Sequence, residues 1–171
     1  FVCRVFAPAV RCGAALLVAH APRAYVDLNR ACDELDSAVI EGVKSLGVNA
    51  RIVSGLGVVP RVVAIGTPIY RGKISLKEAQ ERIDRIWWPY HHKLTALLDQ
   101  TRVQFGPATL IDCHSMHHYA VSRGPREGTA PQRVLGDRYG AAADERLKAP
   151  SHGPVRGCGV LVAGRQHFGG A

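Results

Sequence analysis

Residues 106–116 read Gly-Pro-Ala-Thr-Leu-Ile-Asp-Cys-His-Ser-Met, and their reading decides the fold. Gly106-Pro107 ends whatever precedes it, Ala108 to Asp112 is a short apolar run of strand length, and the run ends directly in Cys113-His114. Upstream, from Ser75 to Phe105, Leu76, Ala79, Ile83, Ile86, Trp87, Tyr90, Leu94, Leu97, Leu98 and Val103 recur at three- and four-residue steps, which predicts a long amphipathic helix. A long helix feeding a buried strand is the unit of an α/β domain with a mostly parallel or mixed sheet flanked by helices. Sites in such domains form outside the carboxyl ends of the strands. His114 stands at one such end.

The helix carries its own punctuation. Ser75 is placed to be its N-cap, with Glu78 three residues on to complete a capping box. Pro89 falls inside the pattern and predicts a kink or a break into two helices. Further upstream, Gly13 to Ala19 is an apolar run of strand length, and Ala24 to Leu28 contains Tyr25 and Val26, which favour extended structure. Asp33 to Lys44 has mixed helical character, Gly47 to Gly57 is a glycine-punctuated connection, and Arg61 to Ile65 reads as a further strand closed by Gly66. Downstream, His117 to Gln132 reads as a loop and Arg133 to Asp137 as a return to the sheet. Beyond Pro150 the periodicity is lost.

Composition narrows the class. With 171 residues, 47% of them hydrophobic and 21% charged, the chain is in the range of one soluble domain. No apolar run approaches the roughly 18 residues of a membrane-spanning helix. The formal charge of +8 comes largely from scattered arginines, without the basic block and interleaved aromatics of a nucleic-acid surface. Neither a membrane nor nucleic acid is therefore expected as a partner. Five cysteines, with no C-x-x-C spacing, suggest neither a disulfide framework nor a thiolate zinc site. A reducing cytoplasm fits them. The stretch Phe1 to Ala24 is basic and acid-free, but Arg4, Pro8 and Arg11 interrupt it where a signal peptide needs an unbroken apolar region, so the chain is read as starting inside a domain.

A histidine at the tip of a buried strand is rigidly aimed and can offer a neutral imidazole to zinc. Asp112 beside it can steady the neighbouring backbone or orient the ring. Spacing alone leaves a second reading open, in which His114 is a satisfied, partly buried histidine and Asp112 caps a loop. Tyr90 and His91 lie on or beside the helix's apolar stripe and read as packing. His117 and His118 fall in the loop beyond.

Three blocks then occur in order: Pro22-Arg-Ala-Tyr-Val-Asp-Leu-Asn-Arg30, Ile69-Tyr-Arg71 and Leu110-Ile-Asp-Cys-His-Ser-Met116. Trp88-Pro-Tyr-His91 lies between the last two, and Val134-Leu-Gly-Asp-Arg138 follows them. Together they resemble the N-formylglutamate amidohydrolase (N-formylglutamate deformylase) family over roughly Phe6 to Ala143. The resemblance implies a fold similar to the zinc carboxypeptidases, a phosphorylase/hydrolase-like α/β architecture. It also implies zinc-dependent hydrolysis of N-formyl-L-glutamate to L-glutamate and formate, late in histidine degradation. On this likeness Asn29 and Arg30 hold a substrate carboxylate, Arg23 and Arg71 assist, His114 is a zinc ligand, and Asp112 and Ser115 support it. An arginine fork suits a carboxylate because it donates two parallel hydrogen bonds. Tyr25 and Asp27 are left as structural.

The resemblance also marks what this sequence lacks. The family's Pro-His-Ser-Gly block, which supplies the first zinc ligands, is absent here. Its later glutamate, suited to act as general base, is expected near Ala143, where a Gly- and Arg-rich tail stands instead. The expectation is an incomplete domain over residues 1–147, lacking both family ends, with 148–171 an atypical tail for which disorder is one reading. Impaired hydrolysis follows, since a catalytic zinc takes three protein ligands and an open position. Two alternatives remain: a non-catalytic remnant that binds acidic amino acids, and an amidase or peptidase of related fold acting on another N-acyl amino acid.

Overall fold

The computed structural model describes residues 2–44, 49–63 and 66–114 and the backbone of 160–162, and in it the long helix begins where the sequence places its cap. Ser75 is extended, and its Oγ accepts the Glu78 N–H at 3.1 Å, satisfying one of the orphan donors of the first turn. The Glu78 carboxylate does not close a reciprocal box; it pairs with Arg82 one turn on. The helix continues as α3 (Leu76–Arg82), a wide π turn over Ile83–Trp87 and α4 (Trp88–Phe105). Pro89 therefore does not break it. The widened turn directly ahead of the proline relieves the clash between its ring and the preceding carbonyls. Gly106, at φ +83°, sends its N–H back to the Arg102 carbonyl at 2.9 Å and ends the helix.

Two units are distinguished, residues 18–100 and residues 1–17 with 101–171. The first holds the hydrophobic core, made of Val26, Val39, Ile40, Val58, Val59, Ile74, Ala79 and Ile83. Each valine or isoleucine among them contributes about 1.5–3 kcal/mol when fully buried. Six of the eight, all but Ala79 and Ile83, lie outside the helices, and several of their backbone groups are paired across the unit. The Asp27 N–H donates to the Val58 carbonyl at 2.7 Å, Val58 N–H to Glu34 at 2.9 Å, and Ile74 N–H to Val39 at 2.8 Å.

That arrangement corrects several expectations. Ala24 to Leu28 is a turn, not a strand, because the Tyr25 and Val26 N–H groups both point back to the Pro22 carbonyl. Of Arg61 to Ile65, residues 61–63 are described and carry a bridge, Val62 with Pro68, in place of a strand. Asp33 to Lys44 forms turns, and the connection after it contains a short helix, α2 (Ala50–Val53), capped by the Asn49 side chain. The apolar stripe is only partly used. Ala79, Arg82 and Ile83 are buried in the first half of the helix, whereas α4 buries no residue and leaves Val103 90% exposed. Past Leu98 the apolar residues come singly among polar ones, which is too sparse for a packing face.

In the other unit α1 (Val2–Phe6) and a 3-10 turn (Ala7–Cys12) lead into β1 (Ala15–Leu17), and β2 is Leu110–Asp112. Between them lies β3 (Val160–Val162), giving the order β1-β3-β2 with both pairings parallel. Val160 pairs with Ala15 on one side and Leu110 on the other. The parallel sheet agrees with the α/β expectation. Its middle strand, however, comes from the Gly- and Arg-rich end, and β2 lies at an edge of the described sheet with Leu110 43% exposed. Ser115, His117, His118, the 117–132 loop and the strand expected at 133–137 lie outside the described residues.

Candidate functional site

Pro22 turns the chain so that the residues after it fold back upon one carboxylate. Asp27, 2% exposed, accepts Arg23 Nε and Nη2 on Oδ2 at 3.1 and 3.0 Å, and accepts the Asn29 N–H on Oδ1 at 3.1 Å. Arg30 Nε lies 3.9 Å from the same Oδ2. Asp27, left as structural in the sequence, gathers Arg23, Asn29 and Arg30 into one cluster.

Arg30 is a buried cation. Its Nε donates to the Leu56 carbonyl at 2.5 Å, its Nη1 donates to the Asn29 carbonyl at 3.2 Å, and Glu34 Oε2 stands 3.6 Å from Nε, beyond hydrogen-bond reach. Burial lowers its proton affinity and Asp27 opposes that most strongly, with Arg51 and Arg23 working against Asp27 and Glu34 with it. The Nη2 nitrogen is buried and finds no hydrogen-bond partner among the described residues. A buried donor left so costs about 1–3 kcal/mol, an amount an incoming carboxylate can return. Arg23, by contrast, keeps half its side chain exposed and is committed to Asp27.

Arg71 is in the same unit, but it is exposed and lines an open groove of about 350 Å³ together with Arg61, Lys73 and Tyr70. Arg61 is held by Asp36 and Lys73 by the Ser37 carbonyl, and with Arg71 they make the groove's lining basic. Tyr70 joins it to a second buried cation. Arg82, 6% exposed, donates to the Tyr70 hydroxyl at 2.6 Å, to the Tyr25 carbonyl at 3.2 Å and to Glu78, and lies 4.2 Å over the Tyr25 ring. Desolvation lowers its proton affinity, but the hydrogen bonds to Glu78 and Tyr70 raise it past the ordinary value. Sequence reading passed over Arg82, although an arginine in phase with Ala79 and Ile83 on a helix stripe was the available signal.

His91 and Trp87 were also read as packing only. In the structure Trp87 Nε1–H donates to the Arg30 carbonyl at 2.8 Å, and His91 Nε2 meets the Leu28 carbonyl at 2.9 Å. Burial lowers the His91 pKa, opposed by the Leu28 hydrogen bond and aided by His92. The unfolded chain therefore binds more protons than the folded one just below the ordinary histidine pKa of about 6.5, and stability falls as pH drops through that value. Thermal midpoints at pH 7.5 and 5.5 are expected to differ by less in His91→Gln than in the parent. An equal difference in both would remove His91 from the effect.

In the unit built on the sheet, His114 Nε2 lies 3.2 Å from Asp112 Oδ2, and the two side chains are 22% and 30% exposed. A carboxylate on one ring nitrogen is the arrangement that orients a metal-ligating histidine. Cys113, between them, is pushed up to about 11 by burial and then by Asp112, so its thiol stays protonated near neutrality. Among the described residues no three His, Cys, Asp or Glu side chains come together as a metal cluster. The donors described do not by themselves match a catalytic zinc, which takes three protein ligands.

Comparison with known proteins accords with the three sequence blocks. The model of the N-formylglutamate amidohydrolase family matches residues 1–171, beyond the Phe6–Ala143 span and through the Gly- and Arg-rich end. The chain is 31% identical over 148 residues to N-formylglutamate deformylase of Pseudomonas aeruginosa, covering 85% of this chain and 50% of that one. With the enzyme of the same name from Pseudomonas putida it shares 31% over 137 residues, 79% of this chain and 46% of the other. It thus spans about half the length of these curated relatives. The crystal structure of N-formylglutamate amidohydrolase from Ralstonia eutropha JMP134 superposes with a TM-score of 0.54 at 36% identity, over 61% of this chain and 40% of that one.

Proposed function

The chain belongs to the N-formylglutamate amidohydrolase family, and from that premise we propose that it carries the carboxylate-binding part of a site for hydrolysing N-formyl-L-glutamate to L-glutamate and formate. The observation that carries this reading is the buried, unsatisfied Nη2 of Arg30 beside Asn29, in a turn locked by Asp27. A ligand carboxylate would take that donor in a charge-assisted bond worth roughly twice a neutral one. Arg71, exposed in its groove, is our candidate for the second carboxylate of the substrate.

In the reaction, water oxygen adds to the formyl carbon, the C–N bond breaks, the amide nitrogen gains a proton, and formate leaves. The residues of this chain bind and orient the glutamate half. We propose zinc as the Lewis acid of the complete site, with His114 as one ligand steadied by Asp112 and Ser115, in a zinc-carboxypeptidase-like fold. Among the described residues no three donors come together to complete that set. A cytoplasmic enzyme of histidine breakdown is consistent with the free thiols of Cys3, Cys12, Cys32 and Cys113 and with the lack of a described helix long and apolar enough to cross a membrane.

A second reading is binding of acidic amino acids without turnover, which needs only the Asn29–Arg30 turn and no group of metal donors, of which the described residues hold none. Calorimetry with L-glutamate and N-formyl-L-glutamate, paired with a formate assay in the presence and absence of added zinc, separates the two. We expect saturable binding of both ligands and formate release at or near background. Zinc-dependent turnover abolished by His114→Ala would establish a working centre and overturn the incomplete-site reading. An absence of binding would sink the carboxylate assignment.

A further inference from the structure

Trp87 and His91 are four residues apart on the helix, and their ring nitrogens reach two backbone carbonyls that flank Asn29: Arg30 at 2.8 Å and Leu28 at 2.9 Å. We propose that Trp87 and His91 are positioning residues, a two-point clamp that sets where Asn29 and Arg30 meet a ligand carboxylate. The proposal rests on the reading of Asn29–Arg30 as the carboxylate site.

The geometry supports it in three steps. A carbonyl only accepts, so His91 must present Nε2–H, and the tautomer is fixed by the bond itself. The two rings lie face to face with centroids 3.9 Å apart and planes tilted by 33°, so neither swings without displacing the other. The Asn29 carbonyl, between the two clamped ones, accepts from Arg30 Nη1 at 3.2 Å. The guanidinium is thereby tied to the same backbone that the helix holds. A shift of Leu28 or Arg30 carries the fork with it.

The π turn explains how both rings come to face this segment. At the 100° per residue of an α-helix, Ala79 and His91 would point about 120° apart. A π turn spends about one extra residue on a rotation and takes back roughly 100° of that difference. Ala79 can then sit in the core while Trp87 and His91 stay over residues 28–30. Wide turns of this kind are frequent at functional sites, where they re-aim side chains.

The test uses the full chain and L-glutamate as the titrant. Calorimetric affinities are compared for the parent, His91→Leu, His91→Gln and Trp87→Phe, with thermal midpoints measured alongside. Glutamine offers an amide N–H near the imidazole Nε2, and phenylalanine keeps a ring while removing the indole donor. The expected result is an affinity about tenfold weaker in His91→Leu and Trp87→Phe, restored to within about twofold by His91→Gln. If the parent binds and affinity merely follows the thermal midpoint across the series, or glutamine fares no better than leucine, the clamp is disproved while the carboxylate site stands. If the parent does not bind glutamate, the carboxylate reading fails and takes the clamp with it.

Discussion

Gly57→Ala is expected to destabilise the protein by about 3 kcal/mol, a large loss for the addition of one methyl group. A Cβ built at Gly57 would stand 2.6 Å from the Glu34 carbonyl oxygen, closer than real Cβ atoms come to anything, and the obstacle is backbone. That oxygen already accepts the Val58 N–H at 2.9 Å, and Val58 in turn accepts from Asp27 at 2.7 Å. Moving Glu34 aside would loosen the strap that holds the Asp27 hub over two fully buried valines, Val58 and Val59. Gly42→Ala is the control. Gly42 has φ +76° and open space around it, so it suffers only backbone strain, about 1–2 kcal/mol. Denaturant midpoints of the two variants at one pH decide the matter, and equal losses would show that Glu34 yields more easily than its bonds imply.

What the sequence made legible were the parts governed by local chemistry. Ser75 caps a helix because a hydroxyl ahead of an amphipathic run satisfies a free N–H wherever the helix lies. The runs at 13–19 and 108–112 gave strands, shortened to Ala15–Leu17 and Leu110–Asp112, because strand ends depend on neighbours supplied by distant residues. Tyr25 and Val26 misled for the converse reason. Their extended preference is weak beside a proline turn and a buried aspartate that collects three separate donors. β3 was invisible because three apolar residues among glycines have no period to detect, and only pairing on both sides makes them a strand.

The site divides along the same line. Asn29 and Arg30 are candidates only through the resemblance, and the contact of Asp112 with His114 follows from adjacency in sequence. Arg82, Trp87 and His91 were not found as contacts, since each acts on a partner twelve to sixty-three residues away. For His91, a helix stripe read at a constant α-helical period also points the side chain in the wrong direction, because the π turn changes its phase relative to Ala79. Phase errors of this kind arise where a helix serves a core at one end and a loop at the other.

Arg30→Met is expected to cost about 3–5 kcal/mol of stability and to abolish glutamate binding, since it strips a buried cation from between two buried or nearly buried carboxylates. Asp27 would keep Arg23, but the Leu56 and Asn29 carbonyls would lose their donors and Glu34 would keep only Arg51 at 3.6 Å. Loss of binding in an unstable protein would prove little, so Glu34→Gln is added to it. Removing the unpaired charge should return part of the stability of Arg30→Met without returning affinity, because the amide supplies no guanidinium fork. Arg30→Lys completes the set: it keeps the charge as a single point, and should lose less stability yet bind glutamate about a hundredfold more weakly than the parent. Calorimetry and denaturant unfolding on the four chains separate the outcomes. Should the double variant regain affinity along with stability, or the lysine variant bind as the parent does, Arg30 supports the turn but is not the group that holds the carboxylate.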